Sequence, residues 1–353
     1  MSLDAIINEA RMAKMKKAPE AASNPFRVRP AGEWLADAAT RPIPKKLFGD
    51  LWVEGELSVL FAPTNVGKSI LAVQIADCIT KGLSWGPLRV QAPAQKVIFF
   101  DFELSDRQFC RRYSEEKDGR YINLYKFSDR FLRAEPVTIE NIPDGVSLTD
   151  YYLDWMEREI LKQNARIIII DNITWINSKL EKSADAGPFM MRLNKMKRQY
   201  DLSILLIAHT PKRDTSREIT VYDLQGSAML SNFLDSCFAV NKSRKDPSLR
   251  YIKQVKVRDG EQLYHEEAVI TCLLDKPGNW LAYEFLDYDH EKSHLNVPTD
   301  GDKDKRDAQI VELYREHQSY RTVADFMGIS HMTVKRIVSK VDQDNDDDPF
   351  SVT

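Results

Sequence analysis

Between residues 57 and 285, short runs that are apolar at nearly every position alternate with longer stretches whose apolar residues recur every three to four positions. The runs at 57–62, 96–102, 166–171 and 202–208 read as strands, and 67–80, 105–113, 148–163 and 189–200 read as helices. A strand that is apolar on both faces must be covered on both, so this order predicts an α/β fold: a mostly parallel sheet with helices on both faces. Further runs at 236–240, 251–257, 269–274 and 281–285 extend the sheet through antiparallel pairs.

The flanks differ in texture. Leu3, Ile6, Ile7, Ala10 and Ala13 fall at helical spacing and predict a short amphipathic helix, followed by a loop-like stretch, so that 1–30 forms a helix and arm. The sheet domain then occupies 31–286, a polar linker 287–304, and a small all-α unit 305–341. The aspartate-rich 342–353 is expected to be a disordered tail, since it has almost nothing to bury.

At 353 residues and 43% hydrophobic, the chain has ample material for one large core and an appendage. A net charge of only -3 means that any contact with nucleic acid must come from local basic patches rather than bulk charge. Cys78, Cys110, Cys237 and Cys272 lie far apart with no C-x-x-C pair, which reads as buried thiols in a reducing compartment. No signal-peptide core or membrane-length apolar run is present, so a cytoplasmic protein without membrane contact is expected.

Chemistry concentrates where the first strand meets its helix. Ala62 is followed by Pro63, Thr64, Asn65, Val66, Gly67, Lys68, Ser69 and Ile70, an [A/G]-x-x-x-x-G-K-S phosphate loop in the strand-to-helix context that the motif requires. Main-chain amides of the loop surround phosphates, Lys68 neutralises the β- and γ-phosphates, and Ser69 gives its hydroxyl to Mg²⁺. ATP and Mg²⁺ are therefore the expected ligands. The run 167–170 ends in Asp171, the Walker B form that holds Mg²⁺ through water, and Asn172 rather than a second acid follows. A base for the attacking water must come from elsewhere: Glu103 closes the second strand, with Asp101 two residues earlier as its competitor.

These features together resemble the RecA-like core of hexameric replicative helicases, closest to plasmid RepA-type helicases and related AAA ATPases of mobile elements, with DnaB more distant. The resemblance spans about 47–285. It implies a γ-phosphate sensor at the end of the next strand, which here is His209. It also implies that Lys256 and Arg258, two residues apart and so on one face of a strand, form a K-x-R element inserted into a neighbour's nucleotide site; an exposed basic edge strand is the alternative. In such a ring, the segments 172–188 and 211–226 face a central channel, where Lys212, Arg213 and Arg217 suit single-stranded DNA backbone contact.

The segment 320–338 matches a helix-turn-helix, with Ala324 at the helix crossing, Gly328 in the turn and Ser330 as the cap. His331, Thr333, Lys335 and Arg336 are expected to face duplex DNA from its second helix. The resemblance implies an ATP-hydrolysing, ring-forming, RecA-like ATPase that acts on DNA, as a helicase or a replication or mobilisation protein of a plasmid or mobile element, assembled as a homo-oligomer, a hexamer. A nucleotide-switched DNA-binding regulator or adaptor without unwinding activity is the alternative. No arginine-rich lid follows the core, which argues against a small-molecule kinase.

Overall fold

The computed structural model describes residues 26–137, 142–176, 183–211, 216–224, 227–295, 300–327 and 329–346. The helix expected at 1–17 lies outside these residues, as do Lys212, Arg213 and Gly328. The chain divides between Ile43 and Pro44, later than the boundary expected after residue 30. In the first unit, helix α1 (Ala31–Ala39) is exposed, and Arg29 both pairs with Asp37 and lies over the Trp34 ring at 4.1 Å.

In the second unit, β1 (Lys46–Phe48) and β2 (Trp52–Val53) form a small antiparallel pair. The main sheet then begins with β3 (Leu57–Ala62), which leads through the phosphate loop into α2 (Lys68–Lys81). Next come β4 (Val97–Asp101), α3 (Asp106–Arg112), the hairpin β5 (Glu115–Lys117) and β6 (Arg120–Ile122), and β7 (Phe131–Ala134). Helix α4 (Leu148–Gln163), β8 (Ile167–Asp171), α5 (Ile173–Ile176), α6 (Ser183–Tyr200), β9 (Ser203–His209) and α7 (Ser227–Phe233) follow. Strands β10 (Ser236–Lys242), β11 (Leu249–Val257), β12 (Val269–Asp275) and β13 (Ala282–Asp289) complete a nine-stranded sheet of order β13-β12-β11-β10-β3-β9-β8-β4-β7.

From β10 across to β7 every neighbour is parallel, and β11 to β13 are antiparallel additions. This is the mostly parallel sheet with helices on both faces that the sequence predicts. The two-residue strand period explains why it needs helices on both faces. On β8, Ile167 and Ile169 join Phe99, Leu205 and the α2 residues Leu71 and Ile75 in one core. Ile168 and Ile170 join Phe100, Leu206 and residues of α4 and α6, among them Leu153, Met156, Phe189 and Leu193, in the other. β7 and the β5–β6 hairpin were not foreseen; their positions are only half-buried or exposed, so they carry little apolar signal.

The expected linker at 287–304 is instead structured over much of its length. β13 runs to Asp289, α8 (Glu291–Leu295) follows, and α9 (Asp300–His317) starts earlier than the helix read from the sequence. The reason is Glu291: fully buried, it accepts from Ile219 N at 2.7 Å, Tyr251 Oη at 3.1 Å and Lys253 Nζ at 2.6 Å. Its carboxylate has partners from two other segments, the stretch at Ile219 and β11, which fixes what composition presents as solvated. Helices α10 (Tyr320–Met327) and α11 (His331–Asp346) pack with α9 around Ile310, Val323, Ala324, Ile329, Val334 and Ile337. α11 continues through Asp346, so the front of the aspartate-rich segment is helical rather than a tail. Among the described residues, no helix is long and apolar enough to cross a membrane.

Candidate nucleotide site

Four neighbouring strand tips carry the polar residues. Ala62 of β3 pairs in register with His209 of β9, and Asp101 of β4 pairs with Asp171 of β8. The loop after β3 turns through Asn65 (φ 60°) and Gly67 (φ 114°) before α2 begins. A Cβ on Gly67 would stand 2.4 Å from Tyr283 Oη, so both backbone angle and space demand glycine. Val66, Lys68 and Ile70 are buried, Pro63, Gly67 and Ser69 half-buried, and Thr64 and Asn65 exposed.

Lys68 Nζ folds back toward its own loop, donating to the Ala62 and Pro63 carbonyls at 3.3 Å each and to His209 Nδ1 at 3.1 Å. Burial lowers the lysine pKa, opposed by the charges of Asp171 and Glu103. An ammonium has no lone pair, so His209 Nδ1 must accept and its proton must sit on Nε2. Burial, then Lys68, lowers the His209 pKa and favours that neutral ring. Nε2 lies 3.2 Å from Asn172 Nδ2, and Asn172 Nδ2 is also 3.2 Å from Glu103 Oε2. With this tautomer an N–H faces an N–H, so the Asn172 amide donates to Glu103 but not to His209, and turning it over would set its oxygen against the Glu103 carboxylate. A phosphoryl oxygen, an acceptor, is the partner this row of donors suits.

The two competing acids separate sharply. Asp101 is buried, accepts from Glu103 N at 3.2 Å and Leu104 N at 2.9 Å through Oδ1, and binds Arg133 Nε at 2.8 Å through Oδ2. Its lone pairs are engaged in holding the turn that presents Glu103. Glu103 itself is exposed, with its carboxylate toward Asn172.

Asp171 is fully buried, and neither carboxylate oxygen has a hydrogen-bond partner in good geometry. Burial raises its pKa to about 7; Glu103 and Asp101 add to the rise, while the adjacent Ser69 hydroxyl and Lys68 oppose it. Orphaned carboxylate oxygens beside a hydroxyl form a hard-oxygen donor set that fits Mg²⁺. No group of three or more His, Cys, Asp or Glu able to hold a metal occurs among the described residues, so such an ion would take its remaining ligands from phosphate and water.

Other expected residues lie elsewhere. Val257 pairs with Ser236, and Ser236 with Ser58, which is four residues before Ala62. Lys256 and Arg258 are therefore near the opposite ends of the parallel strands, roughly 13 Å along β3 from its phosphate loop. Lys256 Nζ donates to the Ser231 and Leu234 carbonyls, and Arg258 to Asp235 Oδ1 and the Asn232 carbonyl at 3.0 Å each. Arg258 also lines a cleft of about 620 Å³ with Lys195 and Arg198. Arg217 is exposed.

In the three-helix unit, Lys335 and Arg336 are exposed as expected, but Thr333 is not. It is buried because its amide and hydroxyl both bond Ser330 Oγ, at 3.1 Å each, as part of the helix cap. His331 is exposed yet has its Nδ1 3.5 Å from Asp275 Oδ2 at the end of β12.

The sequence reading passed over Asn172 except as a missing acid, and it missed Arg133, Arg250, Tyr283 and Gln74. Each acts through a contact distant in sequence. The available signal was a polar residue inside an otherwise apolar run, as with Gln74 in α2; Arg250 shares β11 with Lys253, Gln254 and Lys256 and carried no such mark.

A family model described as an AAA domain matches residues 22–215, more than half of the chain. No curated protein matches. Among solved structures, a KaiC-like protein from the hyperthermophilic archaeon Pyrococcus horikoshii OT3 is similar at 16% identity and a TM-score of 0.44, covering 66% of this chain and 90% of that one.

Proposed function

Because the chain belongs to the AAA domain family, we propose that it hydrolyses ATP at the tips of β3, β9, β8 and β4, as a ring-forming ATPase that acts on DNA. The observation that carries the catalytic part is the convergence of Lys68, His209, Asn172 and Glu103 around the orphaned Asp171 carboxylate.

In this reading Lys68 exchanges its loop carbonyls for the β- and γ-phosphates, and the loop amides complete the cradle. Ser69, and Asp171 through water, would hold Mg²⁺, which would offset charge on the transferring phosphoryl group. Glu103 orients and polarises the attacking water, and its exposure gives it access to that water. His209 and Asn172 face the γ-phosphate, and release of Lys68 from His209 links the phosphate to β9.

Lys256 and Arg258 sit at the wrong end of their own sheet to reach their own phosphate loop. A role in a neighbouring copy's site is what their chemistry supports, with Arg258 neutralising charge on the transferring group. Arg217, with Lys212 and Arg213, would contact single-stranded DNA in the channel. Lys335 and Arg336 would contact duplex DNA.

One observation favours a nucleotide-switched adaptor as a second reading. Asp275, which meets His331, directly follows Leu274, and Leu274 lies against Gly67 together with Tyr283. The nucleotide loop and the third helix of the three-helix unit thus both touch β12.

Phosphate release with Mg²⁺ and ATP tests the common core. Lys68→Ala, which removes a charge-assisted donor, should raise the nucleotide Kd by roughly 10- to 100-fold and suppress turnover. Turnover equal to wild type would remove the phosphate-loop assignment.

A further inference from the structure

The phosphate loop is braced from behind by two residues that no motif marks. Arg250 Nε, from β11, and Tyr283 Oη, from β13, each donate to the Val66 carbonyl at 3.0 Å. Both residues are buried. A trans peptide points its C=O and the following N–H in opposite directions. Two donors gripping the Val66 oxygen on the outer side therefore turn the Gly67 N–H toward the interior of the loop, where a phosphate would lie.

The brace is itself anchored. Gln74, two turns into the helix that starts at Lys68, donates its amide to the Tyr283 carbonyl at 2.8 Å and accepts from Tyr283 N at 2.8 Å. Trp85 Nε1 donates to the same carbonyl at 2.7 Å. Arg250 Nη1 donates to the Pro247 and Leu249 carbonyls at 2.6 and 3.0 Å. The helix behind the loop thus holds the tyrosine that holds the loop, closing a circuit that needs no nucleotide. The 2.4 Å separation between Tyr283 Oη and an imagined Cβ on Gly67 shows how tightly the circuit sits against the turn.

We propose that Arg250 and Tyr283 are positioning residues for nucleotide binding, which pre-aim the Gly67 amide by clamping the Val66 carbonyl. This rests on the phosphate-loop reading above. A donor already aimed does not have to be ordered when the ligand arrives, so the clamp contributes to affinity in the ground state as much as in the transition state. Its loss should appear in Kd and KM, with kcat retained.

The test compares wild type, Tyr283→Phe and Arg250→Lys as full-length chains. Titration calorimetry with the β,γ-imido analogue of ATP and Mg²⁺ gives Kd, and thermal unfolding without nucleotide gives the structural readout. Tyr283→Phe keeps the ring and deletes one donor, and its Kd should rise about 3- to 10-fold, the size of one hydrogen bond. Arg250→Lys keeps the charge but cannot span Val66 and the Pro247 and Leu249 carbonyls together, and it should show a rise of similar size. A rise of twofold or more in either folded variant supports the clamp. A change below twofold in the folded variants, even with a lowered unfolding midpoint, reduces the two residues to structural support and overturns it. Wild type that takes up no analogue instead sinks the nucleotide reading itself, so the two failures are distinguishable.

Discussion

Glu103 and Asp101 sit two residues apart, are both acids, and should respond to amide substitution in opposite ways. Glu103→Gln changes an exposed side chain whose carboxylate has Asn172 as its hydrogen-bond neighbour, so the fold should not register it. Loss of a positioned base slows proton transfer by about 10²- to 10⁴-fold, or roughly 2.7–5.5 kcal/mol in the barrier. Nucleotide binding should persist. Asp101→Asn breaks a pair in which the carboxylate is wholly buried and the Arg133 side chain 18% exposed. Removing one partner of such a pair costs about 3–5 kcal/mol, and the remaining carbonyl acceptor places this case near 3. At roughly 2–4 °C per kcal/mol, the unfolding midpoint should fall by about 6–12 °C. Single-turnover phosphate release, nucleotide titration and thermal unfolding on both variants separate the outcomes. The assignment fails if Glu103→Gln keeps more than about a tenth of wild-type kcat, or if Asp101→Asn reproduces the slow, stable, nucleotide-binding behaviour expected of Glu103→Gln.

Arg258→Ala should bind nucleotide normally but hydrolyse it about 10³-fold more slowly, and mixing it with Glu103→Gln should restore part of the activity if sites are shared between copies; mixtures no faster than either variant argue against sharing. Lys335→Ala with Arg336→Ala should weaken duplex DNA binding and flatten its salt dependence by about one unit per lost phosphate contact, leaving ATPase activity intact, as filter binding across a salt series would register. Ser330→Ala removes the cap that also holds Thr333 and should cost about 1 kcal/mol in the three-helix unit, measured by denaturant unfolding. Burial, then Lys245, pushes the His294 pKa down to about 4, against the opposing pull of Asp289. The unfolded chain therefore binds the proton more readily, so this contribution is complete above about pH 6.5 and lost as pH falls toward 4; His294→Gln should flatten the stability profile across that window, and an unchanged profile would refute the assignment.

Composition along the chain sufficed for everything that depends on neighbours in sequence. Unbroken Ile and Leu runs imply a sheet covered on both faces, and a strand, a glycine-bearing loop and a helix in succession imply a phosphate site, because burial and main-chain geometry are set within a few residues. The three-helix unit was readable for the same reason, down to Ser330 as its cap. Contacts across the sheet carried no such local mark. Asp101 and Glu103 could be told apart only once Arg133 arrived from β7, three strands later in sequence, to occupy the first of them. Folding likewise turned 287–295 from an apparent linker into structure by burying Glu291 against Lys253, removed Thr333 from the exposed face, and set Arg258 at the far end of the strands from its own phosphate loop. The partner of a polar side chain is chosen by which strands become neighbours, and that order is settled by packing of the whole core rather than by any one stretch of residues.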